Sequence, residues 1–206
     1  MPPRSEHPVA FRGRAPLLLM PFLAVLWLFA ATPAEPRSAR VTSFTESRAL
    51  PVTRPDTPVP DDPGQVLYLQ RSTNRNTVVY AARFDAAGQL DPHEPVAVYW
   101  RRYEEQGQAR GLNLLERQLA YGLRTRPGTE AGTYRVSFRA APDLEMTLRQ
   151  NAPFQAALYA AHADQSIRLR YGYIQAIDGL IPQVTELRFF GLLPGGRYAT
   201  IVLVPD

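Results

Sequence analysis

"TYRVSFRA", residues Thr133 to Ala140, decides how this chain folds. Tyr134, Val136, Phe138 and Ala140 alternate with Thr133, Arg135, Ser137 and Arg139. Successive side chains of a strand point to opposite faces, so a period of two puts one face on a core and the other in water. The pattern recurs downstream. In "DLEMTLRQ", Leu144, Met146 and Leu148 alternate with Asp143, Glu145, Thr147 and Arg149. In "SIRLRYGYIQAI", Ile167, Leu169, Tyr171 and Tyr173 alternate with Ser166, Arg168, Arg170 and Gly172. Half-solvated strands of this kind belong to antiparallel sheet. Turn-forming residues separate the runs at Ala141-Pro142, Asn151-Ala152-Pro153, Ala163-Asp164, Asp178-Gly179 and Pro194-Gly195-Gly196. Their short, even spacing predicts a single mainly-β domain, an antiparallel β-sandwich or barrel-like meander of about nine or ten strands.

One segment departs from the pattern. "LNLLERQLAYG" predicts one short helix, with Asn113 as N-cap and Glu116 placed for a capping box. Leu115 and Leu119 share a face and are expected to pack on the sheet, because so short a helix is marginal alone. Gly122 can take the left-handed position at the helix end.

The flanks differ in composition. A chain of 206 residues allows one ordinary domain with flanking segments. Of its 20 prolines, five precede position 32, seven lie from Pro33 to Pro63, and eight serve the 143 residues from Gly64 onward. Residues 35–63, including "PVTRPDTPVPDDPG", have few large apolar side chains and read as a Pro-rich flexible linker. The domain then occupies residues 64–206. Upstream, Arg12 and Arg14 precede an apolar run from Ala15 to Ala31, with small residues before Glu35. That is the plan of a secretory signal peptide over residues 1–34. The run is also close to bilayer-spanning length, so the alternative is an uncleaved N-terminal anchor touching the membrane only through residues 15–31. Both readings place the domain outside the cytoplasm, in the periplasm or cell envelope.

Composition excludes several chemistries. Cysteine is absent, so disulfides, thiolate metal sites and a cysteine nucleophile are out, as is a cysteine-linked lipid anchor. Every positive side chain is arginine. From Gly64 to Asp206, 16 Arg stand against 13 Asp plus Glu, a net of +3 with no run longer than Arg101-Arg102. Charge so weak and dispersed is not a nucleic-acid footprint.

"FDAAGQLDPHEP", Phe84 to Pro95, sets three acids and a histidine close together. A calcium loop needs oxygen ligands at alternate positions and a distal bidentate Glu, which this spacing does not supply. Turn chemistry accounts for the same residues: Asp85 bonds the backbone, Gly88 takes positive φ, and Asp91-Pro92 opens the next turn. His93 and Glu94 are adjacent, so in extended chain they point apart and cannot serve one proton. With no HExxH, GxSxG or phosphate-cradling glycine loop, neither metal nor cofactor is expected. In "VYWRRYEE", Tyr99, Arg101 and Tyr103 share one face, and Val96, Val98, Trp100 and Arg102 share the other. An exposed aromatic–arginine ladder can stack on a sugar or planar ligand; cross-strand packing accounts for it as well. The candidate binding residues are Asn76, Tyr99, Trp100, Arg102, Glu116, Arg117 and Tyr121. Glu116 is expected to reach back to Asn113, leaving Arg117 to meet a buried carboxylate or a ligand.

Together "NTVVYAARFDAAGQLDPHEPVAVYWRRYEEQG", "LNLLERQLAYG" and "LIPQVTELRFFGLLPGGRY" resemble the domain of unknown function 4833 family of exported bacterial proteins. The resemblance runs from about Val66 to Val204 and places Asn74, Asn76, Tyr80, Asp85, Asp91, Tyr99, Trp100, Glu116, Arg117, Tyr121 and Gly122 on the family's pattern. "LLPGG" departs from it, standing where the family carries a more polar turn. No activity attaches to the family. The expected role is a non-catalytic binding or scaffolding module whose partner is an envelope protein or a glycan. One alternative is an envelope hydrolase using Glu116 and His93 beside an aromatic wall of Tyr99 and Trp100. Another is a carrier of a small hydrophobic ligand, which requires an unfilled barrel interior.

Overall fold

The computed structural model describes residues 39–51, 54–177 and 183–205. Among these, twelve strands join in one sheet: β1 (Ala39–Ser47), β2 (Gln65–Arg71), β3 (Thr77–Ala82), β4 (Val96–Arg102), β5 (Gln108–Gly111), β6 (Leu123–Pro127), β7 (Thr133–Phe138), β8 (Glu145–Ala152), β9 (Gln155–His162), β10 (Gln165–Ile177), β11 (Gln183–Leu192) and β12 (Tyr198–Pro205). The long strand β10 is the trunk. One edge pairs antiparallel with β11 from Arg168 to Ile177. The other edge is divided, Gln165–Arg168 pairing antiparallel with β9 and Tyr171–Ile174 pairing parallel with β2. Two wings therefore leave the trunk, β2-β3-β4-β5 and β9-β8-β7-β6, while β11, β12 and β1 follow on its far side.

The division falls at a β-bulge. Leu169 faces Gly191 and Tyr171 faces Phe190, so Arg170 is the extra residue. A bulge bends its strand and sharpens the local twist. Here the wings curl toward each other around one core. Leu67, Val78 and Tyr80 come from one wing, Phe138, Met146 and Leu148 from the other, with Ile167, Phe189 and Ile201 between them. Tyr80 stands edge to face on Phe138 at 5.5 Å, and Phe138 stacks on Phe189 at 5.5 Å.

The mainly-β expectation holds, and its details need correction. The described sheet has twelve strands rather than nine or ten, and it is mixed, because β2 enters parallel to β10. It is a curled half-barrel, and the sandwich and all-antiparallel descriptions fit it only in part. The single-face reading of β10 fails at the bulge. Ile167 and Leu169 lie in the main core, whereas Tyr171 packs on the opposite face with Tyr68 and Phe190, against Tyr173 and Leu50. One inserted residue reverses the parity of every residue after it.

The linker reading of residues 35–63 also gives way wherever that stretch is described. Residues 39–47 form β1, antiparallel to β12. From there the chain straps the outer face of the β2–β5 wing. Leu50 covers the Tyr68, Tyr171 and Phe190 rings, and the Tyr171 hydroxyl donates to the Pro51 carbonyl. Arg54 holds Asp56 at 2.8 and 2.9 Å and donates to the Arg71 and Ser72 carbonyls at 3.0 Å each. Prolines keep this segment from helix and ladder, and side chains rather than a strand register fix it. The signal-peptide or anchor expectation for residues 1–34 lies outside the described residues.

"FDAAGQLDPHEP" is the turn its residues predict. The Asp85 carboxylate accepts from the Ala87 and Gln89 amides at 2.9 Å each, and that of Asp91 accepts from His93 at 2.8 Å and Glu94 at 3.1 Å. Gly88 takes φ +77° at the tip. Gln150 of β8 receives the Leu90 amide at 3.0 Å and donates to the Gly88 carbonyl at 2.8 Å, so this hairpin bridges the two wings.

Candidate functional site

β4 carries the candidate residues on two faces, as its alternation predicts. Tyr99 and Arg101 face the strap, where Asp62 is nearly buried. The Arg101 guanidinium embraces the Asp62 carboxylate, with Nε 2.9 and 3.0 Å from its two oxygens, and donates from Nη1 to the Gly107 carbonyl at 3.1 Å. The Tyr99 hydroxyl donates to the same carboxylate at 2.9 Å. Arg101, then Tyr99, hold Asp62 below the usual carboxylate range, while burial and then Asp62 push the Tyr99 phenol up to about 12. The aromatic–arginine ladder is thus a clamp on the strap rather than an open stacking surface.

The inner face of β4 runs Val96, Val98, Trp100, Arg102, and the segment from Leu112 to Leu123 lies over it. That segment begins with the predicted reciprocal cap. The Asn113 amide donates to the Glu116 carboxylate at 2.8 Å, and the Glu116 amide donates to the Asn113 side chain at 2.9 Å. The helical turn then widens over Glu116–Ala120, and the Tyr121 amide reaches back five residues to the Glu116 carbonyl at 2.8 Å. Gly122 is required there for a reason other than the one predicted. A Cβ on it would stand 1.7 Å from the Arg117 carbonyl oxygen, so close backbone approach, not a left-handed φ, demands glycine.

The leucine face does not pack on the sheet. Leu114, Leu115 and Leu119 are 67, 67 and 70% exposed. Buried Leu112 on one side and Tyr121 on the other hold the segment instead. The Tyr121 ring meets Trp100 edge to face at 5.0 Å, its hydroxyl accepts from Arg71 at 2.9 Å, and its carbonyl accepts from the Tyr80 hydroxyl at 3.0 Å. Arg71 lies over the Trp100 ring at 4.9 Å.

Between β4 and this segment lies a cavity of about 180 Å³. Val96, Val98, Leu112 and Leu123 form its apolar walls, and Arg117 and Arg139 bring two positive charges. Glu94 also lines it, but Arg83 holds that carboxylate. Among the described residues neither Arg117 nor Arg139 has an ion-pair partner, so the buried carboxylate expected to meet Arg117 is not found there. A wider, shallower depression of about 790 Å³ lies elsewhere, between β1 and the β10–β12 strands, and its Arg188 is paired with Glu186.

Trp100 and Tyr121 are therefore brought together, while Arg117, on the segment that Glu116 caps, lines the cavity instead. Arg102 lies at the end of the same face, paired with Glu105. Asn76 is buried and donates to Glu104 at 3.0 Å, bracing the turn after β4. Tyr99 faces away. Of the residues named for a hydrolase, Tyr99 and Trp100 are on opposite faces of β4, Glu116 is committed to its cap, and His93 is exposed. Sequence reading missed Arg71, Arg139 and Asp62. Only the register of β2 against its neighbours brings Arg71 to Trp100, and "DDPG" carries no mark of a buried ion pair.

Among the described residues the carboxyls with displaced titration are moved down. Arg54 brings Asp56 to about 2, Arg101 lowers Asp62, and the Glu94 and His93 amides lower Asp91. Among the described residues no three of His, Asp and Glu gather as a metal site. Residues 67–197 match the family model described as Domain of unknown function (DUF4833). No curated protein and no solved structure matches the chain.

Proposed function

The chain belongs to the DUF4833 family, and from that premise we propose that it is a non-catalytic binding module of the bacterial envelope. Its ligand is a carboxylate-bearing envelope component, a glycan or protein segment, taken at the cavity beneath residues 112–123. The observation that carries the reading is the charge arrangement. Arg117 and Arg139 face an apolar-walled cavity without a partner carboxylate among the described residues, and a guanidinium in that position matches a carboxylate fork. Val96, Val98, Leu112 and Leu123 then take the apolar part of the ligand, as small-ligand sites usually arrange it. Export rests on the apolar N-terminal run behind Arg12 and Arg14.

Catalysis finds less support. General acids are carboxyls pushed up by burial or like charge, and the displaced carboxyls among the described residues, Asp56, Asp62 and Asp91, are pushed down. A carrier finds less still, since Tyr80, Phe138 and Phe189 fill the space between the wings.

Titration of the protein with cell-wall glycopeptide fragments, followed by NMR, tests the reading. Free-carboxylate fragments should shift the Val98, Leu112 and Leu123 signals, and amidated fragments should not. Arg117→Ala should weaken binding at least about tenfold, as loss of a charged hydrogen bond does, while stability changes by less than about 0.5 kcal/mol. Equal binding of amidated fragments would sink the ligand assignment. Cleaved fragments in the mass spectrum would overturn the non-catalytic one.

A further inference from the structure

Leu114, Leu115 and Leu119 are the densest group of exposed large apolar side chains in the described protein, three within six residues. They do not wall the cavity, so the carboxylate-binding reading leaves them unexplained. Scattered exposed leucines are ordinary, but a cluster marks a contact. The segment is not frayed chain that happens to carry leucines. The Asn113–Glu116 cap, the Trp100–Tyr121 contact and the Tyr80–Tyr121 hydrogen bond all fix it.

The surrounding charge indicates what the leucines meet. From Gln108 to Arg126 the chain carries Arg110, Arg117, Arg124 and Arg126 against Glu116 alone. All four arginines are exposed, and none has an ion-pair partner among the described residues. Glu116 is spent on the cap. Elsewhere several arginines are matched locally, such as Arg54 by Asp56, Arg83 by Glu94 and Arg197 by Glu46, and others, such as Arg75, Arg168 and Arg170, are not, among the described residues. This stretch is set apart by gathering four unmatched arginines around three exposed leucines in one short run of sequence. Exposed leucines in a stretch with unmatched arginines before and after them have the composition of a surface that enters the headgroup layer, apolar tips in the acyl boundary and cations on phosphates. A specific protein interface needs about 800 Å² per partner with an aromatic anchor, and three leucines on one turn supply neither.

We propose that residues 110–126 form a membrane-docking surface, with Leu114, Leu115 and Leu119 inserting into an anionic bilayer and Arg110, Arg124 and Arg126 binding its phosphates. The docking is interfacial. Among the described residues no helix is long and apolar enough to cross a membrane. It does not require the N-terminal apolar run to remain.

The absence of cysteine allows a single-site probe on the full chain. Leu119→Cys carries an environment-sensitive fluorophore that reads the tip directly, however the rest of the chain is attached. Asp164→Cys, in the exposed β9–β10 turn, is the reference. The label at 119 should shift to the blue and resist aqueous quencher on phosphatidylglycerol vesicles, and on phosphatidylcholine vesicles should do neither. The label at 164 should not respond. Raising salt, or the triple change Arg110→Ser, Arg124→Ser, Arg126→Ser, which leaves the cavity's Arg117 and Arg139 in place, should remove most of the shift. Leu114→Ser with Leu115→Ser should weaken it while the melting temperature stays put, as expected where two-thirds of each side chain is already in water. An unchanged label on anionic vesicles would overturn the proposal. So would an equal shift on neutral ones, and a shift that follows protein concentration without lipid would assign the leucines to contact between chains.

Discussion

The β2–β5 wing and the β6–β9 wing are built from the same trunk, yet they meet water differently. In the first, β2 is buried at every position from Val66 to Gln70 and β3 at all of its positions, because the core lies on one face and the strap on the other. In the second, β7 and β8 bury Val136, Phe138, Met146 and Leu148 while Arg135, Glu145 and Arg149 stay in solvent. Strands covered on both faces are written as continuous apolar runs, and strands covered on one face alternate. "QVLYLQR" and "TVVYAA" against "TYRVSF" and "EMTLRQNA" show the two rules in one sheet.

Phe189 joins the wings, so removing it should erase the difference between them. It is fully buried and stacks on Phe138. Phe189→Ala should cost about 3–5 kcal/mol in urea unfolding, with both wings losing hydrogen-exchange protection.

Asp62 separates the wings. Asp62→Ala leaves Arg101 and Tyr99 facing each other without their acceptor and should cost about 2–3 kcal/mol, with protection lost in β3 and β4 and kept in β7 and β8. Its pH dependence has a definite sign. Arg101 depresses the carboxyl in the folded state, so the stabilisation is complete above the unfolded pKa of about 4 and is lost as pH falls below it. Acid titration of the parent should therefore show a loss of stability below about pH 4 that Asp62→Asn lacks.

Gly191 tests the trunk rather than either wing. A Cβ there would stand 2.5 Å from Ile167 Cγ2 and 2.7 Å from the Arg168 carbonyl, beside the bulge. Gly191→Ala should cost about 1–3 kcal/mol through forced separation of β10 and β11. Smallest of all, Arg135→Ser on the solvated face of β7 removes only an exposed pair with Glu145 at 3.6 Å. Thermal melting should register less than about 0.5 kcal/mol.

What the sequence disclosed follows from that division. Alternation in β7 and β8 is legible because water touches one face, and the turn residues before and between strands carry their own geometry, as Asp85, Gly88 and Asp91 do. The bulge at Arg170 leaves no mark, since an inserted arginine between Leu169 and Tyr171 looks like another solvent-facing position. The strap hides for a similar reason. Proline-rich composition forbids regular structure but does not forbid Leu50, Arg54 and Asp62 from finding partners on a finished sheet. At the candidate site the cap of Asn113 and Glu116 is local and was readable. The exposure of Leu115 and Leu119 was not, because a helical period states which residues share a face and not what that face meets.

The parallel pairing of β2 with β10 also sets the order in which the molecule can assemble. Tyr68 waits for Tyr171, about a hundred residues later, and Ala39 of β1 waits for Pro205 of β12. The β6–β9 ladder closes through short hairpins and can form as soon as it is synthesised, whereas β2 holds an unpaired edge until the trunk arrives. Long-range pairings close slowly, and an open apolar edge is where nascent chains stick to one another. A ribosome stalled between β9 and β10 would release a chain with one wing finished and the other exposed. For this topology, safe passage depends on keeping the first strands apart from other copies until the last ones exist.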